Sequence, residues 1–502
     1  MTFKRPVAWI AAAVVFLVHA FGNAHYGFFR DELYFIICGQ HPQWGYVDQP
    51  PVVPLLAAFT QLGGHSLFLL RLIPALCAAA GVYVTCLLVL EFGGGVFAQA
   101  MASLGFLFAG VLLSFGEKVG PDEIGLWAWP LIALLVLRII KGGDPRLWLA
   151  AGLVGGIAIE SKYAVLFFLA ALFIGLVLTP QRRILASWWF AAGVAVMLLI
   201  ALPNFLWQAH YDFPMWELLR NGQNGKNVIV GPLVYLLQEV LITSLFLFPV
   251  WVIGLYWFLR NSTYRFLGYA YVIIIAEMIV FHGKHYYPAD VYPILLAAGG
   301  MQIESWTARA GLARVAILAY TLVLGPVFIP YSLPILSEPA FVAYQARVEA
   351  VTHTSNRVLA TEHNRETSTL PGDWADMHGW PEMATTVKNV YDALPPKDRA
   401  AAVVFGGNYG EAAAVGFFAP GVPVISTHNQ YWLWGPDGYD GRVLVQINGT
   451  CWARQHYFAS RAIAKVIHSP WAIGYENDIP INICRGLKIP VARLWSESKS
   501  YE

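Results

Sequence analysis

Residues Tyr26–Pro54 read YGFFRDELYFIICGQHPQWGYVDQPPVVP. The stretch follows one apolar run and precedes another, yet it holds Arg30, Asp31, Glu32 and Asp48 among aromatics and a Pro-Pro pair. Adjacent carboxylates are costly at a bilayer boundary, so this loop needs a reason to carry them. The composition around it sets the context. Of 502 residues, 57% are hydrophobic and only 13% charged, and the mean hydropathy is +0.54. Soluble domains carry about 25% charged residues. The chain therefore reads as an α-helical polytopic membrane protein. Its 19 Trp and 24 Tyr suit rings seated at headgroup level. A net charge of +1 gives no reason to expect a nucleic-acid partner.

Apolar runs of roughly 17–25 residues mark spanning helices. They fall at 7–23, 66–90, 96–115, 124–141, 147–161, 163–179, 184–204, 231–258, 266–281, 288–304 and 313–333, which makes about eleven transmembrane helices. The first run also has the shape of a signal peptide with a weak cleavage site at Gly22-Asn23-Ala24, but the chain continues as a membrane protein, which favours an uncleaved span. One set of connections carries Lys4 and Arg5, Arg138, Lys141 and Arg146, Arg182 and Arg183, Arg260 and Arg265, Arg309 and Arg314. The positive-inside bias puts these in the cytoplasm. The opposite set carries Asp31, Glu32 and Asp48, Glu117, Asp122 and Glu123, Glu160, Asp212 and Glu217, and Asp290. The carboxylates thus gather on the extracytoplasmic face.

Residues 1–335 are expected to form the membrane domain, with a first outer loop at 24–65. Residues 336–502 are expected to form a small extracytoplasmic α/β domain. In that tail Ala401–Phe405, Val422–Ser426 and Arg442–Ile447 read as strands, Asn408–Glu411 as a helix start, and Ala459–Ile467 as a helix. Of five cysteines none makes a CxxC pair, which disfavours cluster and zinc sites. Cys38, Cys77 and Cys86 read as apolar filler. Cys451 and Cys484 lie in the tail, where an oxidising compartment leaves a disulfide between them open.

Several constellations carry chemistry. Asp31-Glu32 suits a general base or a metal-holding pair, and equally a capped first turn. Gly45–Pro54 is a proline-stiffened turn. Asp122, in Gly116–Glu123, is a second carboxylate for the site or a cap after Pro121. Lys162 and Lys284, the latter flanked by His282, His285, Tyr286 and Tyr287, offer cations to an anionic phosphate, more than snorkelling requires. Outer carboxylates, outer cations and an aromatic boundary together suit a lipid-phosphate substrate. A transporter or flippase of a lipid-linked sugar is the alternative from another class, disfavoured by carboxylates gathered on one face without an inverted repeat. A scaffold protein with a degenerate site is a third.

Tyr26–Pro54, Glu160–Phe168 (ESKYAVLFF) and Phe281–Pro293 (FHGKHYYPADVYP) resemble the bacterial membrane glycosyltransferases of the family 39 type. These are relatives of protein O-mannosyltransferases and of the lipid A aminoarabinose transferases. Gly406–Phe418 and Ser426–Pro436 resemble the soluble tail of the same bacterial subgroup. The resemblance implies a GT-C fold and an inverting transfer of a monosaccharide from a polyprenyl-phosphate donor. The acceptor would be a lipid, a glycan or a protein of the cell envelope, such as lipopolysaccharide, reached at the outer face of the inner membrane. By position, Asp31 inherits the base role, Glu32 completes its pair and Asp122 is the second acidic site. Lys284, Lys162, Arg30, His285 and Tyr286 are the expected phosphate contacts. No metal motif stands out, although the acidic pair leaves a divalent metal possible. One departure is Gln49, where the aminoarabinose transferases carry Lys before Pro-Pro. Another cation has to hold a donor phosphate here.

Overall fold

The structure, a computed structural model, describes residues 6–23, 25–352, 359, 361–362, 368–453 and 455–502. Lys4, Arg5 and Ala24 lie outside the described residues. The described chain forms two compact units. The first comprises residues up to His25, Phe68–Leu206 and Ile229–Leu336. The second comprises Tyr26–Leu67, Trp207–Val228 and Ser337–Glu502.

The first unit is helical throughout, because a backbone in an apolar phase has to satisfy every N–H and C=O internally. Each of the eleven expected stretches is helical. By length and hydropathy, Leu67–Glu91, Trp188–His210 and Gly311–Tyr331 are long enough to cross a bilayer unbroken. Leu198, Leu199, Leu202, Leu312, Val315 and Val323 stand exposed on the latter two, the surface expected where lipid is the neighbour. The stretch 231–258 differs from a single span. Helix Pro232–Ile242 gives way at Thr243 and Ser244, and the chain bends by 91° into Leu245–Arg260. Hydroxyls at the break bind backbone carbonyls: Thr243 Oγ1 donates to that of Glu239 at 2.9 Å, and Ser244 Oγ donates to that of Phe108, 136 residues away, at 2.7 Å. Hydroxyl side chains that re-satisfy the backbone are what make such a break tolerable in lipid.

Helices Phe248–Arg260 and Tyr292–Trp306 pack through glycine. A Cβ on Gly254 would lie 2.1 Å from the Leu295 carbonyl oxygen, and one on Gly299 would lie 2.0 Å from that of Val250. Bare Cα atoms allow the backbones this approach. Gly254→Val should cost about 1–3 kcal/mol through overpacking and lower the melting temperature of the detergent-solubilised protein. Gly311→Ala, where a Cβ meets open space, should leave it unchanged.

The second unit is built on a five-stranded sheet in the order β2-β1-β3-β5-β4. The strands are β1 (Ala402–Phe405), β2 (Val424–Ile425), β3 (Val443–Ile447), β4 (Phe458–Ile467) and β5 (Ile479–Leu487). β1 runs parallel to β2 and β3, while β5 runs antiparallel to β3 and β4. Helix Tyr409–Phe418 is the crossover between β1 and β2, and its N-cap is Asn408, whose side chain accepts from Glu411 N. The expected helix at Ala459–Ile467 is instead β4. Its pairing with β5, from Phe458↔Leu487 to Ile467↔Ile479, overrides the local alanine propensity, and β-branched Ile463, Val466 and Ile467 suit an extended edge. One division between the units falls after Leu336, and Tyr26–Leu67 and Trp207–Val228 belong to the second unit. Gln208 Nε2 donates to the Tyr46 carbonyl at 3.0 Å, Trp207 Nε1 donates to Gln43 Oε1 at 3.0 Å, and Val47 N donates to Gln430 Oε1 at 3.1 Å.

Cys451 and Cys484 are disulfide-bonded, with 33 residues of sequence separation. Both are fully buried in a core with Trp452, Phe405 and Trp495. Closing a loop of this length stabilises by about 3–4 kcal/mol. Cys484→Ser should therefore lower the melting temperature and make the Cys451 region sensitive to limited proteolysis.

Candidate functional site

In the second unit the site begins with helix Arg30–Gln40, which places Arg30, Asp31 and Glu32 in its first turn. Glu32 is fully buried, and its Oε2 accepts from Phe29 N at 2.9 Å. It closes the helix N-terminus, as the capping alternative anticipated. Asp31 has a different environment, with its side chain 31% exposed. Its Oδ1 accepts from Arg30 Nε at 3.3 Å and from the Tyr409 hydroxyl at 2.7 Å. Arg30 is buried and reaches further. Its Nη1 donates to the Tyr475 hydroxyl at 2.6 Å and lies 3.7 Å from Asp376 Oδ2. Its guanidinium sits 5.1 Å from the Tyr409 ring centroid. A Cβ on Gly410 would meet Arg30 Cγ at 2.3 Å, so glycine there lets the arginine stem lie on the helix.

Asp48 is held by a parallel device. The Tyr34 hydroxyl donates to Asp48 Oδ1 at 3.0 Å and Asn429 Nδ2 donates to Oδ2 at 3.3 Å. Burial pushes Asp48 up to about 7, against the pull of these hydrogen bonds. Gln49 beside it is buried. Glu411 and Glu476 form a buried carboxyl pair behind the helix. Glu411 Oε2 accepts from Gly407 N at 2.6 Å, and Glu476 Oε1 accepts from Asn408 Nδ2 at 2.7 Å. Burial and then mutual repulsion raise Glu411, and burial raises Glu476 to about 7.

In the first unit Lys162 forms an ion pair with Asp122. Its Nζ lies 5.1 Å from the Tyr286 ring centroid and 4.7 Å from that of Tyr287, a geometry that favours a cation. Ser161 Oγ donates to the Pro121 carbonyl at 3.0 Å, which ties the two loops together. Asp290 is buried and lines a small cavity with Lys162, Pro121, Gly125, Trp129 and Ser161. Gly125 leaves room for it, since a Cβ there would fall 1.8 Å from Asp290 Oδ2. Glu123 is buried, accepts from Gly120 N at 3.1 Å, and is pushed up to about 8 by burial. Lys284 is partly buried. Burial first and the Lys284 charge second lower His285 to about 4, so His285 offers a ring N–H and no charge at neutral pH.

The expected residues thus sort into two groups. Asp122, Lys162 and Tyr286 come together in one unit. Arg30, Asp31 and Glu32 come together in the other, with Arg30 engaged by carboxylates of its own chain. Among the described residues no three His, Cys, Asp or Glu side chains converge as metal ligands. Sequence reasoning passed over Tyr409, Tyr475, Asp376 and a site role for Asp290. The only signal for Tyr409 was its place in Gly406–Phe418, a stretch singled out without a role for any side chain.

Comparison with known proteins adds to this. The sequence model of the dolichyl-phosphate-mannose-protein mannosyltransferase family matches residues 48–207. The lipid A galacturonosyltransferase RgtD of Rhizobium johnstonii is 30% identical over 187 residues, which are 37% of this chain and 39% of that protein. The chain therefore aligns with about two fifths of the length of the curated relative it matches. Among solved structures, ArnT from Cupriavidus metallidurans bound to undecaprenyl phosphate is similar over 95% of this chain and 97% of that one, with a TM-score of 0.57 and 15% identity. The mycobacterial arabinofuranosyltransferase AftD is similar over 98% of this chain and 40% of that one, with a TM-score of 0.52 and 13% identity. The fold is the GT-C fold of ArnT, with a small C-terminal sheet domain.

The carboxyl pair has a measurable consequence. Glu476 takes its proton at about 7 in the folded protein, against 4.5 in the unfolded chain. Its contribution to stability is therefore complete below pH 4.5 and lost as pH rises through about 7. The melting temperature should fall between about pH 5 and about pH 8, and Glu476→Gln should flatten that slope.

Proposed function

We propose that this chain, a relative of the GT-C membrane glycosyltransferases, transfers a monosaccharide from a polyprenyl-phosphate donor to an acceptor hydroxyl at the extracytoplasmic face. The observation that carries the reading is Asp31. It is a partly exposed carboxylate, held by two donors on one oxygen, in the first loop of a chain with the ArnT fold. In this reading Asp31 takes the acceptor proton as the hydroxyl attacks the anomeric carbon with inversion. The C–O bond to the phosphate breaks, and polyprenyl phosphate leaves with the electron pair.

Lys162 and Lys284 are the cations proposed for the phosphodiester. They would stabilise charge that grows on the leaving group, which is where electrostatic catalysis has most effect. Asp122 would orient Lys162 through their ion pair. Tyr286 adds a ring face to that lysine, while His285 can donate a hydrogen bond only. Arg30 is spent on Asp31, Asp376 and Tyr475, so we assign it to the base and not to the phosphate. The disulfide supports an extracytoplasmic C-terminal region, because such bonds persist in oxidising compartments. The acceptor class that the relatives suggest is a glycolipid of the cell envelope.

General-base assistance is worth on the order of 10²–10⁴ in rate. In liposomes supplied with polyprenyl-phosphate monosaccharides, wild-type protein should release polyprenyl phosphate when acceptor lipid is present. Asp31→Asn should reduce release by at least about 10² while the protein still folds. Near-normal turnover by that variant would remove Asp31 from the role. Movement of the donor across the bilayer without product would favour the transporter.

A further inference from the structure

We infer that Tyr409, contributed by the C-terminal domain, is the positioning residue for Asp31. It binds one carboxylate oxygen and leaves the other to receive the acceptor proton. The inference rests on the proposed transfer reaction for its consequence and on the second unit alone for its geometry.

Both donors to Asp31 converge on Oδ1: the Tyr409 hydroxyl at 2.7 Å and Arg30 Nε at 3.3 Å. Among the described residues no hydrogen bond is made to Oδ2. A carboxylate with one oxygen saturated and the other open, partly exposed at 31%, has a defined direction in which to take a proton. The Tyr409 contact, at 2.7 Å, is the closer of the two.

Tyr409 is itself held on every side. It opens helix Tyr409–Phe418, capped by Asn408, whose amide is tied to Glu476. Its ring faces the Arg30 guanidinium and packs on Tyr34, with centroids 4.6 Å apart, and on His428, at 4.9 Å. Burial and then the surrounding charges keep the phenol protonated, with Asp31 raising it and Arg30 opposing. It is therefore a donor across the working pH range. Arg30 alone would let the carboxylate turn, because its contact is longer and comes from the adjacent residue. A donor from a separate element, 378 residues along the chain, fixes the second direction.

Tyr409→Phe keeps the ring contacts and deletes the hydroxyl. In the liposome assay we expect kcat to fall about tenfold or more, with donor KM within about twofold and the melting temperature unchanged. In an Asp31→Asn background the same substitution should cost nothing further, because residues acting as a unit are non-additive. Fluorotyrosine at 409, which keeps the hydrogen bond, should restore most of the rate should Tyr409→Phe disturb folding. Unchanged kcat, a loss confined to KM, or a full additional loss in the Asp31→Asn background would each overturn the inference. The infrared carboxylate band of Asp31 separates this from failure of the proposed reaction. It should shift between wild type and Tyr409→Phe whether or not turnover is seen, and an unmoved band overturns the contact directly.

Discussion

A buried guanidinium has to be neutralised where it lies, and Arg30 organises the second unit around that constraint. An arginine cannot shed its charge in a protein, so burial is tolerable only where fixed acceptors and carboxylates surround it. Asp31 comes from its own helix, Asp376 and Tyr475 from distant segments, and Tyr409 offers a ring face. Meeting the charge draws a loop from the start of the chain into one compact body with segments some 350–450 residues later. The loop that carries the candidate base thereby loses the freedom that loops ordinarily have.

Several carboxyl groups of this body are held by hydrogen bonds in environments that disfavour their charge. Asp48, Glu411 and Glu476 are all raised by burial, and each is hydrogen-bonded by an amide or a hydroxyl. Asp31 differs in being 31% exposed with both of its donors on one oxygen. That contrast separates a carboxylate available for chemistry from carboxyls serving structure, although all of them look alike as letters in the sequence. The first unit follows a related economy. Lys162 faces Asp122 as a close ion pair and borrows two tyrosine rings, while Asp290 sits over the bare Cα of Gly125.

The pairing of Asp-Glu at 31 and 32 shows how far local reading reaches. Both lie in a helix first turn, as the macrodipole favours, and both the capping and the chemical reading were open. Glu32 points back to Phe29 N and is buried, whereas Asp31 meets Tyr409. The local capping box accounts for Glu32 at N3, but the partner that sets Asp31 apart is on a helix contributed by the far end of the chain. The same logic explains the strand at 458–467. Its own residues permit a helix, and only the partner Ile479–Leu487 makes extension the better state.

By itself the sequence determined the membrane class, the helical character of eleven apolar stretches, the turn-to-strand pattern around β1 and β3, and which loops hold the unusual charges. These follow from hydropathy, charge bias and short-range propensity, which act over a few residues and leave their mark as composition. The resemblance of the first-loop and Phe281–Pro293 motifs to a transferase family was legible for the same reason, since motifs are local. Only the tertiary structure decided the break at Thr243–Ser244, the membership of Tyr26–Leu67 in the second unit, the cystine at 451 and 484, and the division of labour between Asp31 and Glu32. Each of these depends on a partner distant in sequence, and the energy of a buried charge or an unpaired backbone group is set by whatever the fold brings within a few ångströms of it.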